Sequence, residues 1–591
     1  MIKKLVLIVL LFPSICFGTD IYVDPFSGAE TDCADYDPTQ SSGSRCGAGS
    51  YQMYDTLQEA VTNMSGGDDI YIRGGTLGAL HLTGNASDGT VEIPQSKDGT
   101  SENWSSIQSY VGEWAILDGE DECGTGNDAG GVLAHWGYDK DGTDDIRYWR
   151  FERLEITGGA ADDGGSASGL YVNGGPFILR YCYIHDNLAT VGGANPCAWK
   201  GMVVKNTTVE YNVFRDNGTT GQTREIHSGT SLQWHSDYLY QEAYWERIPD
   251  DIPRDAHGIL AVRGKNVIRY NLIDNPNQYA ENGLHNKGRQ YFTPKTNVDY
   301  EFEDWGEDIH HNIFIDVQRA VGYQGDFTQI HHNIGIITNG SYNMSGFSGI
   351  DETFGSDVTM VTVYNNTVIG GRICSHFGRQ SIYTTVPPTP FFYVFNNLID
   401  SAPATGDEAE VINLGAPYMT LPPDEEYNPA RQDVENNYLY RADSNNVRVT
   451  REVGDCLEVM TVSEYDTCYS ATNYTKATSE GSDNLYVSGS GSDQYVTRGA
   501  HVIDGAVTIA NGGKGGAHPY LDGVTLPSYT GATNPSDNDW VDEVYNFDVA
   551  YFTAKTTQGD APYDESFIEG AEAAAITGSI SGGAVSGGII K

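Results

Sequence analysis

Basic side chains concentrate in one stretch of a chain that otherwise contains few of them. The 591 residues include 34 Lys and Arg against 81 Asp and Glu. The candidate catalytic residues in this stretch are Lys287, His285, Arg263, Arg319 and His257. Such groups can neutralise a sugar carboxylate, take up the proton beside it and protonate a leaving oxygen, provided their surroundings shift their pKa values. This pattern predicts a site for an acidic polysaccharide and a β-elimination.

The roles within this group follow from residue type. Lys287 or His285 is the candidate base, and Arg263 and Arg319 are the candidate carboxylate neutralisers. Side chains alternate along a strand, so a strand here would place His285 and Lys287 on one side. Aromatic and basic side chains suit sugar binding, and the candidate binding residues are Arg289, Tyr323 and Trp234.

A second kind of chemistry is suggested by an acidic turn. Asp139, Asp141 and Asp144 surround Gly142. Carboxylates around a glycine turn are typical of loops that bind hard cations, which makes calcium the candidate cofactor. The spacing is not that of an EF-hand, so an ordinary acidic loop is the alternative interpretation.

A repeated phrase indicates how these groups are positioned. IHHNI occurs at 309–313 and again at 330–334, a step of 21 residues, and looser copies contain Asn271, Asn366 and Asn397. A 21-residue step leaves no room for a crossover helix. It favours a right-handed parallel β-helix over about residues 65–400, with the asparagines stacked on one turn. Longer spacings are coils with added loops, where binding sites tend to lie.

The paired histidines inside this phrase allow two interpretations. His310 and His311 recur one coil later as His331 and His332. A stacked structural ladder accounts for the pairs with the fewest assumptions, and a metal site is the alternative.

The N-terminal region predicts secretion and a short helix. Residues 1–18 have two lysines, an apolar run and a final glycine, as in a signal peptide cleaved near Gly18. Thr56 and Glu59 have the spacing of a capping box before an apolar face, so a helix near 56–63 is expected to cap the solenoid. No later stretch is long and apolar enough to span a membrane.

The net charge of the chain bears on its binding partners, and its cysteine content bears on the compartment in which it folds. The formal charge of −47 argues against nucleic acid or an anionic membrane as the main partner. Removing Cys16 with the signal peptide leaves eight cysteines, an even number that suits an exported protein. Short separations predict three bridges: Cys33–Cys46, Cys182–Cys197 and Cys456–Cys468.

The repeated sequence pattern changes after residue 400. We interpret residues 19–400 as the β-helix with its cap and residues 401–487 as an insertion or a small subdomain. Residues 488–565 return to short strands and glycine-rich turns, and 566–591 form a tail of small residues. Oligomeric state is not readable from these features.

The N-terminal motifs also resemble a known family. IYVDP, TLQEAV and GGDDIYIRGGT, followed by IQSY and EWAILDG, resemble secreted bacterial right-handed parallel β-helix proteins of the pectate lyase-like superfamily. With the asparagine coils, the resemblance covers roughly residues 20–400. It implies an all-β solenoid but leaves the activity open, because the superfamily includes lyases, hydrolases, epimerases and non-catalytic surface proteins.

A more local resemblance concerns the candidate site. EIHSGTS at 225–231 and GILAVRGKN at 258–266 resemble segments of chondroitinase B-like and alginate lyases. The resemblance implies that Glu225 ligates calcium and that Arg263 assists proton transfer. Thr230 stands where that family carries its lysine base, so Lys287 or His285 would have to substitute.

Two other functions fit the same fold. A glycoside hydrolase needs two facing carboxylates, for which Asp255 and Glu281 are candidates. A non-catalytic, adhesive glycan-binding solenoid needs only the stacked coils and the tail. New double bonds in the products would distinguish a lyase from both alternatives.

Overall fold

The computed structural model describes a set of segments that follow the coils along the chain. These are residues 18–25, 32–47, 49–121, 131–135, 146–161, 168–189, 197–201, 204, 206–219, 257–261, 266–274, 282–286, 307–315, 319–323, 328–336, 345–349, 361–369, 372–374, 392–400, 412–413, 432–435, 438–440, 446–448, 459–461 and 485–486. Residues 1–17 of the predicted signal peptide, the predicted Cys456–Cys468 bridge and the tail lie outside them.

Three long sheets run through the described residues, and from Asp69 to Arg448 each coil contributes one strand to each sheet. Sheet A consists, in spatial order, of Cys33–Tyr36, Tyr51–Tyr54, Asp20–Val23, Asp69–Ile72, Ser105–Ser109, Trp149–Glu152, Phe177–Arg180, Thr208–Glu210, Val267–Arg269, Asp308–His310, Thr328–His331, Val361–Tyr364, Phe392–Phe395 and Gln432–Glu435. Sheet B consists of Gly75–Leu77, Ala115–Asp118, Leu154–Thr157, Tyr183–His185, Val213–Arg215, Leu272–Asp274, Ile313–Ile315, Ile334–Ile336, Thr367–Ile369, Leu398–Asp400, Tyr438–Tyr440 and Leu485–Tyr486.

Sheet C completes the coil. It consists of Val91–Glu92, Leu133–Ala134, Ser168–Tyr171, Cys197–Gly201, His257–Ala261, Asn282–Asn286, Arg319–Tyr323, Ser345–Gly349, Arg372–Cys374, Ile412–Asn413, Asn446–Arg448 and Val459–Thr461. A small sheet pairs Ala160–Ala161, Leu188–Ala189 and Gly218–Thr219. Successive coils pair in parallel, as between Ile309 and Ile330 in sheet A. The predicted parallel β-helix is therefore confirmed.

The stacked asparagines lie at the turn from sheet A to sheet B, as predicted. Each side chain donates from Nδ2 to Oδ1 of the asparagine in the next coil, at 2.9–3.0 Å, in the order Asn212, Asn271, Asn312, Asn333, Asn366 and Asn397. Each Oδ1 also accepts the backbone N–H of the preceding asparagine, as in Asn312 to Asn333 at 3.0 Å. The ladder thus supplies hydrogen-bond partners for the backbone N–H and side-chain amide groups of these buried turn residues, which lie outside the strands.

The residue before each asparagine has a left-handed backbone. Tyr211, Tyr270, His311, His332 and Asn365 have φ between 50° and 55°. Asparagine and histidine adopt this region more readily than most residues, whereas the bulkier tyrosine is strained in it. Stacking of adjacent rings offsets part of that strain, as in Tyr211 on Tyr270, with ring centroids 4.9 Å apart.

Apolar side chains fill the inside of the coil in columns. On sheet A the inward column comprises Ile70, Ile107, Phe151, Leu179, Val209, Ile268, Ile309, Ile330, Val363 and Val394. All are fully buried. Burying side chains of this size stabilises by about 1.5–3 kcal/mol each relative to exposure. The phrase apolar-x-x-Asn therefore fixes both the core position and the turn.

The N-terminal end carries the predicted helix. Helix Leu57–Asn63 begins after Thr56, whose hydroxyl accepts the N–H of Glu59 at 3.2 Å. Its apolar face, Leu57, Ala60 and Val61, is buried. A second helix, Ala79–Thr83, and the 3-10 turns Ser42–Ser44 and Gln95–Lys97 complete the helical segments that the structure describes.

The cysteine predictions have mixed outcomes. Cys33 and Cys46 form a disulfide with Cα atoms 6.0 Å apart, as predicted. The Cys182–Cys197 bridge is wrong, because both residues are buried thiols. Cys182 takes the asparagine position at the turn from sheet A to sheet B, and its thiol donates to Arg180 O at 3.3 Å. Cys197 begins a strand of sheet C, on a different side of the coil.

The sheets continue beyond Asp400. Gln432–Glu435 pairs in parallel with Phe392–Phe395, and Tyr438–Tyr440 pairs with Leu398–Asp400. Strands of the β-helix thus occur within the range interpreted from the sequence as an insertion or subdomain. Among the described residues, no helix is long and apolar enough to cross a membrane.

Candidate functional site

Sheet C is the side of the solenoid where the long connections begin and end. From Arg180 to Tyr438, sheet A passes to sheet B through two residues in every coil, as in His311 and Asn312. The connections on either side of sheet C vary widely in length, and residues 216–256 form the longest of them. Residues 287–307 form another long one. Loops on one side of a rigid scaffold are where binding residues are usually carried.

The backbone register aligns two predicted site residues on this sheet. His257 pairs with Asn282, and Asn282 pairs with Arg319, so His257 and Arg319 occupy one register position two coils apart. Neighbouring coils are about 4.8 Å apart, which gives a separation of roughly 10 Å between their backbones.

His285 and Tyr323 lie beside this position on the same strands. His285 pairs with Gly322, and Asn286 pairs with Tyr323. The strands His257–Ala261, Asn282–Asn286 and Arg319–Tyr323 therefore bring four predicted residues to three consecutive coils. They form the strip that we call the sheet C site.

The other predicted site residues lie outside the described part of the chain. They are Arg263, Lys287, Arg289, Trp234, Glu225, Asp139, Asp141 and Asp144. Lys287 directly follows the strand Asn282–Asn286 in sequence, and Arg263 lies two residues after His257–Ala261. Among described residues, no cluster of three or more His, Cys, Asp or Glu side chains could hold a metal ion.

Sequence reasoning did not select Lys200, which the register places in line with His285. Lys200 pairs with Leu260, and Leu260 pairs with His285. Its Nζ lies 5.6 Å from the centre of the Tyr171 ring, a cation–π contact. Strand alternation could have predicted its side of the sheet, because the neighbouring Trp199 is fully buried in the core.

A second polar cluster, outside the predicted site, lies on sheet B. His185 contacts two carboxylates, with Nε2 2.9 Å from Glu155 Oε1 and Nδ1 2.7 Å from Asp186 Oδ2. The indole N–H of Trp114 donates to the other oxygen of Glu155 at 2.6 Å. The Tyr183 ring stacks on His185 at 4.2 Å, and burial raises the pKa of Tyr183. This network joins three coils, and each polar atom named here has a partner.

The outward side of sheet A carries an alternating charge column. Glu152, Arg180, Glu210 and Arg269 occupy the same position in successive coils. Arg180 Nε lies 2.9 Å from Glu152 Oε1, and Arg269 binds Glu210 at 2.7 Å. The column then continues as His310, His331 and Tyr364. Because its acidic and basic side chains are paired, this column is a structural rather than a ligand-binding surface.

Comparison with solved structures finds similar folds. A polysaccharide lyase of family PL6 from Pseudopedobacter saltans is 12% identical, with a TM-score of 0.39, over 74% of this chain and 92% of its own. An alginate lyase from a Paenibacillus species is 15% identical, with a TM-score of 0.28, over 61% of this chain and 90% of its own. A pectate lyase is 13% identical, with a TM-score of 0.33, over 67% and 80%.

The fold of this chain is defined by the register of its own three sheets. The similarity to these structures concerns the fold alone. No protein-family model matches the sequence, and no curated protein matches it.

Proposed function

We propose that the protein is a secreted enzyme that cleaves an acidic polysaccharide by β-elimination at the sheet C site. The observation that carries this proposal is the register of His257, His285 and Arg319 on three consecutive strands. The longest connection of the solenoid, residues 216–256, precedes these strands, and the long connection 287–307 lies between two of them. The chain has a net charge of −47, so basic residues on neighbouring strands of sheet C would provide a local positive charge that attracts a polyanion.

The proposed reaction assigns one task to each group. Arg263 and Arg319 neutralise the uronate carboxylate, which makes the C5 proton more acidic. Lys287 or His285 takes that proton, and the released electron pair forms the C4–C5 double bond as the C4–O bond breaks. A second protonated group, a role we assign to His257, supplies a proton to the leaving oxygen. Trp234, Tyr323 and Arg289 would bind neighbouring sugars.

Calcium is the proposed cofactor. Glu225 would hold it next to the substrate carboxylate, and the loop with Asp139, Asp141 and Asp144 would hold a second, structural ion. Oxygen ligands of this kind suit calcium, and a bound cation would add to the charge that neutralises the substrate.

The test is an assay of lyase products with a matched pair of variants. Alginate, pectate and chondroitin are incubated with the protein, and new double bonds are followed by ultraviolet absorbance. Lys287→Ala and Arg319→Ala should each lower turnover by about 10²-fold or more. Arg372→Ala is the control, because Arg372 begins a strand at the same register position two coils beyond Arg319. Products without double bonds, or equal effects of Arg319→Ala and Arg372→Ala, would contradict the proposal.

A further inference from the structure

Four histidines form a two-by-two array where sheet A turns into sheet B. Within each coil the Nδ1 atoms of neighbours face each other, at 2.7 Å for His310 and His311 and 2.9 Å for His331 and His332. Between coils the rings stack almost parallel, His310 on His331 at 4.9 Å and His311 on His332 at 5.0 Å. Every imidazole therefore contacts one ring beside it and one ring in the next coil.

This geometry allows at most one charged imidazole in each pair. A hydrogen bond between two Nδ1 atoms holds one proton, so one ring donates and the other must present a lone pair. His331 Nε2 lies 2.9 Å from Asp308 Oδ1, a carboxylate oxygen that accepts from a protonated Nε2. If both rings of a pair were doubly protonated, neither Nδ1 could accept, and the pair would separate.

Charged groups and aromatic rings surround the array. The coil before the array presents Arg269, which is paired with Glu210, together with Tyr270. The coil after it presents Tyr364, stacked on His331 at 4.7 Å. Within the array's own coils, Glu307 contacts the amide of Asn266, and Asp308 contacts the imidazole of His331. Burial, with the neighbouring cations second, holds the pKa values of His310, His311 and His332 well below 6.5.

The array also has a defined position relative to the sheet C site. The strand Arg319–Tyr323 lies between the two histidine pairs in sequence, in the coil that starts at Asp308–His310 and ends at Thr328–His331. Backbone bonds join the pairs, since His311 N–H donates to His331 O at 3.4 Å. Separation of the pairs would therefore loosen the coil that carries Arg319.

We propose that these four imidazoles act as a pH-sensitive latch. It holds the strands and turns of 307–315, 319–323 and 328–336 in register while each pair carries at most one charge, and it releases this coil when both rings of a pair are charged. The protein would thus lose order around Arg319 in acidic surroundings before the rest of the solenoid unfolds. The latch concerns the stability of the coil and does not depend on the reaction proposed for the sheet C site.

The sign of the effect follows from linkage. Histidine in the unfolded chain has a pKa near 6.5, whereas the pKa values of His310, His311 and His332 in the fold are lower. Unfolding therefore takes up protons between these limits. The stabilising contribution is complete above pH 6.5 and is lost as the pH falls below it. Each imidazole that stays neutral in the fold at pH 5 raises the unfolding constant by roughly 30-fold.

The chain itself suggests the variant that tests the latch. Asn365 and Asn396 occupy the turn position of His311 and His332 in later coils, with φ of 50° and 54°. The double variant His311→Asn with His332→Asn therefore suits the backbone and breaks both Nδ1 contacts. When the pH falls from 8 to 5, the unfolding constant of the parent protein should rise up to about 10³-fold more than that of the double variant.

Tyr211→Asn is the matched control. Tyr211 has the same turn position, with φ of 54°, and stacks between Tyr181 and Tyr270. This change removes a stacked ring without removing a group that titrates below pH 8. It should lower stability equally at every pH and keep the parent's pH dependence.

Two measurements decide the outcome. Urea unfolding gives the pH dependence, and amide hydrogen exchange, corrected for intrinsic rates, locates it. As the pH is lowered to 5, exchange in 307–336 should accelerate at a higher pH than exchange in Trp149–Glu152. The double variant should not show this difference between the two segments. An unchanged pH dependence in the folded double variant would overturn the latch, as would a dependence abolished by a chelator, which would indicate metal binding. If the double variant does not fold, His332→Asn alone should remove part of the dependence, and no change there would also overturn it.

Discussion

The side-chain amide of Asn312 donates to Oδ1 of Asn333 at 3.0 Å, and the same Nδ2 donates to the carbonyl of Ile268 at 2.8 Å. Oδ1 of Asn312 accepts both from the backbone N–H and from the Nδ2 of Asn271. One buried side chain thus satisfies groups in the coils on both sides. The asparagine ladder joins coils that differ greatly in loop length.

Replacing Asn312 should be costly for this reason. Asn312→Ala leaves the buried carbonyl of Ile268 and the N–H of Asn271 without their partner, and each such loss costs about 1–3 kcal/mol. Urea unfolding should show a loss of ~3–5 kcal/mol. The control is Asn63→Ala, because Asn63 is exposed and only donates to Glu59 O on its own helix. Similar losses in the two variants would contradict a structural role for the ladder.

The two carboxylates on His185 should differ in their effect on stability. The Glu155 side chain is 3% exposed and that of Asp186 is 53% exposed, although both contact the same imidazole. Asp186→Asn should change stability by less than about 1 kcal/mol, because water screens an exposed pair. Glu155→Gln disrupts a buried network with His185 and Trp114 and should cost about 3 kcal/mol or more. Thermal unfolding of both variants at pH 7 makes the comparison, and a reversed order would refute it.

Native thiol reactivity should separate the cysteines. Burial raises the pKa of Cys182 to about 12, so at pH 8 this thiol is protonated and shielded. Iodoacetamide should therefore leave Cys182 and Cys197 unmodified in the folded protein and alkylate both after denaturation. Peptide mapping without reduction should recover Cys33 linked to Cys46. Rapid alkylation of Cys182 at pH 8 without denaturant would contradict its burial.

Removing calcium should test the proposed cofactor. If Glu225 holds calcium beside the substrate, a chelator should lower lyase activity by 10-fold or more, and added calcium should restore it. Glu225→Gln should require more calcium for half-maximal activity. Asp139→Asn should alter thermal stability rather than turnover, because its ion is proposed to be structural. Full activity after exhaustive dialysis against a chelator would exclude a catalytic ion.

The repeated phrase made most of the fold predictable, whereas the site was predictable only in part. Asn312 and Asn333 recur in the same phrase, so their alignment depends only on local sequence. The pairing of His257 with Asn282 depends on how the chain returns after residues 216–256, which no local pattern specifies. The Cys182–Cys197 bridge failed because closeness in sequence was taken for closeness in space across two sides of a coil.

Lys200 was missed for a related physical reason. A single lysine in a strand carries no periodic signal, and its alignment with His285 appears only once the coils are stacked. The placement of His257, His285, Arg319 and Tyr323 on strands could be predicted, because each belongs to a short run of residues with high β-propensity. The roles proposed for these residues remain predictions for the assays above.

The constant two-residue turn between sheets A and B has a consequence for how such a chain can change over generations. Asn312 and Asn333 are separated by one complete coil, and their turns have the same backbone and the same partners. A duplication or excision of 21 residues, cut at equivalent points, would leave every remaining asparagine facing another asparagine. The molecule can thus grow or shrink in steps of one coil, about 4.8 Å, without a new kind of junction. The two identical IHHNI phrases are what a recent step of this kind would leave behind.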